Sequence, residues 1–127
     1  MRERNNQSLE DYLETILIIR ERQGYARSVD VAKELGVTKP SVSVAMKKLK
    51  DEKYITMDSS GHIFFTDKGM ELAEMVYNKH RLLYKTLVAI GVDEKTAASE
   101  ACLIEHIISD KTYKKINDFY KKLNKKS

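Results

Sequence analysis

The sequence predicts a mainly α-helical chain, a winged helix-turn-helix head followed by a helical dimerisation domain, and three observations predict it. Apolar residues recur three and four apart through most of the chain. One short stretch, residues 54–65, instead sets aromatic and β-branched residues around a glycine-containing turn. The helical pattern then resumes after Thr66 and holds to Leu123.

The first helix is expected over residues 8–22, where Leu9, Leu13, Ile16 and Leu17 make one apolar stripe, Ser8 offers a cap and Gly24 ends the run. Ser28 is expected to cap a short second helix with Val31, Ala32 and Leu35 turned inward, and Gly36 to supply the turn that follows. Thr38 then caps a third helix that buries Val42, Ala45, Met46 and Leu49. Pro40 falls in its first turn, where a missing amide hydrogen costs nothing. This succession reads as a helix-turn-helix. Residues 54–57 and 62–65, joined by Asp58, Ser59, Ser60 and Gly61, read as a β-hairpin in the position of a wing.

Thr66 is expected to cap a long fourth helix over residues 67–90, with Leu72, Val76, Leu83 and Leu87 inward, and Gly91 to break it. Asp93 caps a fifth helix running to about residue 108, with Ala97, Ala101, Ile104 and Ile108 on one face; Asp110 starts a sixth that runs to about residue 123. The chain thus divides into a winged helix-turn-helix head, residues 1–66, and a helical part, residues 67–127. A chain of 127 residues rarely holds two independent cores, so the second part is expected to bury its apolar surface by pairing with a second copy, as a homodimer.

Composition narrows the class. The chain is 42% apolar and 33% charged, and no stretch approaches the roughly 18 apolar residues that span a bilayer, so no membrane segment is expected. The polar residues 1–7 lack a secretory pattern, which predicts a cytoplasmic protein. Cys102 is the only cysteine and cannot form an internal disulfide. The net charge of +4 is a weak pointer to an anionic partner, and its distribution says more. Residues 39–50 hold Lys39, Lys47, Lys48 and Lys50 with no acid among them. A second basic cluster, Lys114, Lys115, Lys121, Lys122, Lys125 and Lys126, reads as a solvated helix face.

The third helix would present Lys39, Pro40, Ser41, Ser43, Val44 and Lys47 outward. Small residues at its amino-terminal end suit close approach to base edges in a major groove, and lysines suit phosphates. Ser41 and Ser43 can bond bases or phosphates, Val44 can meet a thymine methyl, and His62 at the wing tip can reach a neighbouring phosphate. Double-stranded operator DNA is therefore the expected partner. The alternative is a protein-interaction module whose lysines only keep a helix soluble.

Cys102, Glu105 and His106 stand at i, i+3 and i+4, which puts a thiol, a carboxylate and an imidazole on one helical face. His80 on the fourth helix, with Asp11 and Glu14 on the first, can complete or duplicate a shell for a divalent transition ion. Each residue has an ordinary alternative: Cys102 as a small packed hydrophobe, Glu105 and His80 as solvated residues, His106 bonded to a carbonyl, and Asp11 as the acid of a capping box with Ser8.

Four segments are similar to the diphtheria toxin repressor family of iron- and manganese-dependent regulators: residues 8–14 (SLEDYLE), 31–37 (VAKELGV), 79–83 (KHRLL) and 100–106 (EACLIEH). The resemblance runs in order over nearly the whole chain. It implies a winged-helix head on a helical dimerisation domain, a divalent metal as corepressor and control of metal-homeostasis genes. The family's metal positions would fall on Asp11, Glu14, His80, Cys102, Glu105 and His106. Asp11 and Glu14 resemble the manganese-responsive branch, whereas Cys102 resembles the iron-responsive one. The corepressor implied is iron(II) or manganese(II), with zinc, cobalt or nickel able to bind in vitro. Tyr84 and Ala98 stand where an ancillary iron site has an acid or an imidazole, and the chain is expected to be the short, two-domain form. Two other readings compete: a winged-helix regulator answering to a small molecule or to oxidation of Cys102, and a metal-dependent hydrolase with Glu105 as base, for which no phosphate loop or nucleophile elbow is found.

Overall fold

The structure, a computed structural model, describes residues 9–126. Its elements in order are α1 (Leu9–Gln23), α2 (Ser28–Leu35), α3 (Lys39–Asp51), β1 (Ile55–Met57), β2 (Ile63–Phe65), α4 (Asp67–Ala89), α5 (Glu94–Ile104) and α6 (Asp110–Lys126). They gather into two compact units, one running to Val76 and one beginning at Tyr77. The expected Ser8 cap lies outside the described residues, as does the polar opening stretch 1–7.

In the first unit α1 is buried over a wider arc than one stripe. Leu13, Ile16 and Ile19 are fully covered, and Tyr12, Glu14, Thr15 and Leu17 are buried with them. The core they enter is closed by Val31 of α2, Val42 and Leu49 of α3, and Ile55 and Ile63 of the hairpin. Each such aliphatic side chain contributes about 1.5–3 kcal/mol on burial, so the hairpin is held by its inward isoleucines and not by its few ladder bonds.

The caps decide the helix boundaries. Thr38 caps α3 as expected, its hydroxyl accepting from the Ser41 amide at 3.3 Å. Gly36 closes α2 in the left-handed region (φ 68°), with its amide on the Ala32 carbonyl. Ser28, expected as the α2 cap, is instead its first residue. The capping position belongs to Arg27, whose backbone amide donates to the Asp30 carboxylate at 3.0 Å. An acid near the amino terminus both answers a free amide and complements the helix dipole, so Asp30 sets the start without a hydroxyl at position 28.

The hairpin pairs Ile55 with Phe65, Thr56 with Phe64 and Met57 with Ile63. Its turn is organised by Asp58, which accepts from the amides of Ser60 and His62, both at 2.9 Å. Ile63 also donates to the Ala26 carbonyl, which ties the hairpin to the loop before α2. From α1, the Arg20 guanidinium lies 5.3 Å over the Phe64 ring and 5.9 Å over that of Phe65.

In the second unit Leu82, Leu83, Ala97 and Ala101 are buried. Asp93 caps α5 as expected, accepting from the Thr96 amide at 2.9 Å. The helix stops at Ile104, short of the expected residue 108. After it the amides of His106 and Ile107 reach back only three residues, to Leu103 and Ile104, so the end tightens into successive turns. Ser109 then accepts from the Thr112 amide and starts α6. A competing cap at Ser109 ends the α5 pattern early.

Candidate functional site

Every residue expected on the outward face of α3 is exposed there: Lys39, Pro40, Ser41, Ser43, Val44 and Lys47. Val44 is 69% exposed, an apolar side chain held in water on an otherwise polar face. Lys47 meets Asp51 one turn on at 3.3 Å, a solvated pair whose lysine keeps most of its surface in water. Ser41 accepts from the Thr38 hydroxyl at 3.0 Å, which leaves its own hydroxyl hydrogen to be directed outward.

His62 is not at the tip of the hairpin, where the sequence put it. It immediately precedes β2 at the foot of the turn, with Nδ1 3.4 Å from Asp58 Oδ2 and its ring edge-on to Tyr25 at 5.5 Å. The Asp58 carboxyl is held below the usual range chiefly because the His62 amide donates to it. Ser59 and Ser60 form the exposed tip. The Tyr25 contact was not legible in the sequence, since nothing in a spacing of this length links a loop tyrosine to a wing histidine.

In the second unit, α4 carries His80 and the end of α5 carries Glu105. His80 Nδ1 lies 3.3 Å from Glu105 Oε1, and the Glu105 side chain is wholly buried. Neither Glu105 oxygen accepts a hydrogen bond among the described residues. A carboxylate buried in this way costs several kcal/mol by general estimates unless a cation or donors answer it. A carboxylate oxygen and an imidazole nitrogen side by side form a donor pair for a divalent transition ion, and the buried charge gives that ion a reason to bind.

The three residues of the expected triplet differ in exposure. Cys102 is exposed and His106 is half-buried, while Glu105 points into the unit. Tyr84 is half-buried and Ala98 exposed, and neither side chain supplies a carboxylate or imidazole. In the first unit Glu14 is buried, at 6% exposure, and Asp11 is half-buried on the same helix.

A winged helix with an exposed, lysine-bearing reading face, on a chain that also sets a half-buried imidazole beside a buried carboxylate, has the features of the metal-responsive DNA-binding regulators. The family model described as the iron dependent repressor N-terminal DNA-binding domain matches residues 6–63, and that of the iron dependent repressor metal-binding and dimerisation domain matches residues 66–127. The chain belongs to this iron-dependent repressor family. It is 37% identical to an uncharacterised HTH-type transcriptional regulator of Methanocaldococcus jannaschii, over 95% of this chain and 98% of that one. It is 34% identical to the HTH-type transcriptional regulator MntR of Bacillus subtilis, over 87% of this chain and 78% of that one. Among solved structures the manganese regulator SloR superposes with a TM-score of 0.80 at 30% identity, covering 91% of this chain. The chain spans 54% of SloR, about half its length. Among the described residues no helix is long and apolar enough to cross a membrane.

Proposed function

We propose that the protein is a homodimeric, cytoplasmic repressor that binds double-stranded operator DNA when a divalent ion, iron(II) or manganese(II), occupies its metal site. The observation that carries the reading is Glu105, a wholly buried carboxylate beside His80 with neither oxygen hydrogen-bonded among the described residues. Bound there, a divalent cation supplies the positive charge that the Glu105 carboxylate lacks. Membership of the iron-dependent repressor family, and likeness to a manganese regulator, favour iron and manganese over other ions.

The proposed ligand set keeps all six residues named from the sequence. Glu105 and His80 form its centre, Asp11 and Glu14 contribute from α1, and Cys102 and His106 contribute from the end of α5. The proposed division at residue 66 puts DNA recognition on one side and metal binding and dimerisation on the other. Residues that now face water in the second unit, Ile90, Leu103, Ile107 and Phe119, supply apolar surface for the second copy.

On the reading face, Lys39 and Lys47 neutralise phosphates, Ser41, Ser43 and Val44 meet base edges near Pro40, and His62 supports the wing. Two heads of a dimer must reach half-sites about 34 Å apart, one turn of B-DNA. Ligands drawn from both parts of the chain would narrow the spread of that distance, so less ordering entropy is lost on docking. No catalytic role is assigned, and the family's members act as regulators.

The test uses a duplex recovered from a random pool with the manganese-loaded protein. Chelation should weaken binding to it while leaving the helical circular dichroism nearly unchanged; equal affinity with and without metal would refute the switch. The exposure of Cys102 supports one second reading, a response to oxidation. It predicts that mild oxidant alters DNA binding in the metal-free protein, and that Cys102→Ser abolishes the effect.

A further inference from the structure

The carboxyl-terminal end of the recognition helix α3 is built largely by another helix. The last carbonyls of any α-helix lack partners within it. Here the carbonyl of Glu52, the residue that closes α3, accepts from Lys68 Nζ at 2.9 Å, so an ammonium sits at the negative end of the α3 dipole. The same ammonium lies 4.3 Å over the Tyr54 ring. Thr66 donates its hydroxyl to the Lys53 carbonyl at 2.7 Å and its amide to the Tyr54 carbonyl at 3.1 Å.

Gly69 completes the joint. A Cβ added there would run into the Tyr54 carbonyl oxygen and stand 2.8 Å from the carbonyl carbon, so only glycine lets the α4 backbone approach this closely. Between these contacts Lys53 is held in the left-handed region, φ 65°, the only non-glycine residue of positive φ among those described. Residues 52–54 are thus held through their backbone carbonyls by Thr66 and the first turn of α4.

We propose that Lys68 and Gly69 are positioning residues for operator recognition, fixing α3 to the first turn of α4 so that the reading face follows α4 as one piece. α4 is a single helix that also carries His80. Restraint on α4 at His80 therefore reaches the recognition helix through this joint. The inference rests on the metal-dependent reading given above.

The experiment measures binding to the selected duplex with and without manganese for the wild type, Lys68→Met, Lys68→Arg, Gly69→Ala and the exposed control Lys85→Met. Manganese affinity in the absence of DNA is measured alongside. Lys68→Met and Gly69→Ala should cut the manganese-induced gain in DNA affinity by about tenfold, within the usual range of coupling between sites. Manganese affinity without DNA and the salt slope of binding should stay unchanged, Lys68→Arg should recover most of the gain, and Lys85→Met should match the wild type. An unchanged gain in both variants, or equal losses with and without manganese, would overturn the proposal. So would a salt slope reduced by about one in Lys68→Met, which marks a phosphate contact instead. A wild type indifferent to manganese would overturn the functional reading itself, and this inference with it, whereas defects confined to the variants separate the two.

Discussion

His80 Nδ1 stands 3.3 Å from Glu105 Oε1, and the glutamate side chain behind that contact has no exposure to solvent. The two residues are far apart in sequence and come from α4 and from the turn that ends α5. Their meeting sets an imidazole against a buried carboxylate. Neither carboxylate oxygen accepts a hydrogen bond among the described residues, and the proposed metal site rests on that.

Glu105→Gln should therefore separate stability from metal binding. The amide removes the buried charge, so in chelator the variant should unfold at a higher temperature than the wild type, by about 1 kcal/mol or more of stability. Its unfolding midpoint should no longer rise on adding manganese. Calorimetry in both conditions checks this, and a variant still stabilised by manganese as strongly as the wild type would remove Glu105 from the site.

Val44 keeps 69% of its surface in water, so it adds little to the fold. Val44→Ser should leave the thermal midpoint within about 0.5 kcal/mol of the wild type while lowering affinity for the selected duplex by about 1 kcal/mol or more, the scale of one lost base contact. Anisotropy titrations against duplexes with thymine or uracil at each position would locate the methyl it meets.

Lys47 belongs to the same face but acts through charge. Lys47→Gln should lower the slope of log K against log salt by about one per neutralised phosphate, with little change in sequence preference. An unchanged slope would mean that the exposed pair with Asp51 is its only partner.

The Asp58 carboxyl sits below its ordinary value of 3.8, first because the His62 amide donates to it and then through Ser60 and the His62 ring. A depressed acid stabilises the fold above its unfolded value, and that contribution is lost as pH falls through the lower, folded value. The amide resonances of Ser60 and His62 should titrate with a midpoint below 3.8, and Asp58→Asn should abolish that titration. A midpoint at or above the ordinary value would mean that the turn is not organised by this carboxylate.

Ile63 anchors the hairpin at 1% exposure. Ile63→Ala should cost about 2–5 kcal/mol and, because the strands make few bonds of their own, should release the wing ahead of the helices. Hydrogen exchange at Thr56 and Phe64 would rise more than at Leu13.

Local chemistry made much of this protein legible from its residues alone. Periodicity separated the helices from the hairpin, and Thr38, Thr66 and Asp93 each mark a boundary because a cap acts within three residues of itself. The outward face of α3 followed from the same logic, since a helix fixes which residues point away from Val42, Ala45 and Leu49. Ser28 misled because Asp30 competes for the same end of α2.

Nearest-neighbour rules could not reach the rest. Spacing put Cys102, Glu105 and His106 on one face, but whether a residue faces water or protein depends on where α5 stops and what packs there, and only Glu105 turns inward. Helix periodicity likewise carries no information that Lys68 caps α3, that Gly69 admits the Tyr54 carbonyl, or that Arg20 covers Phe64. The order of residues determined the elements and their exposed faces, because hydrogen bonds and caps act over one turn. The fold in three dimensions decided which charges lose their water, because desolvation depends on every atom that closes around a group and not on its neighbours along the chain.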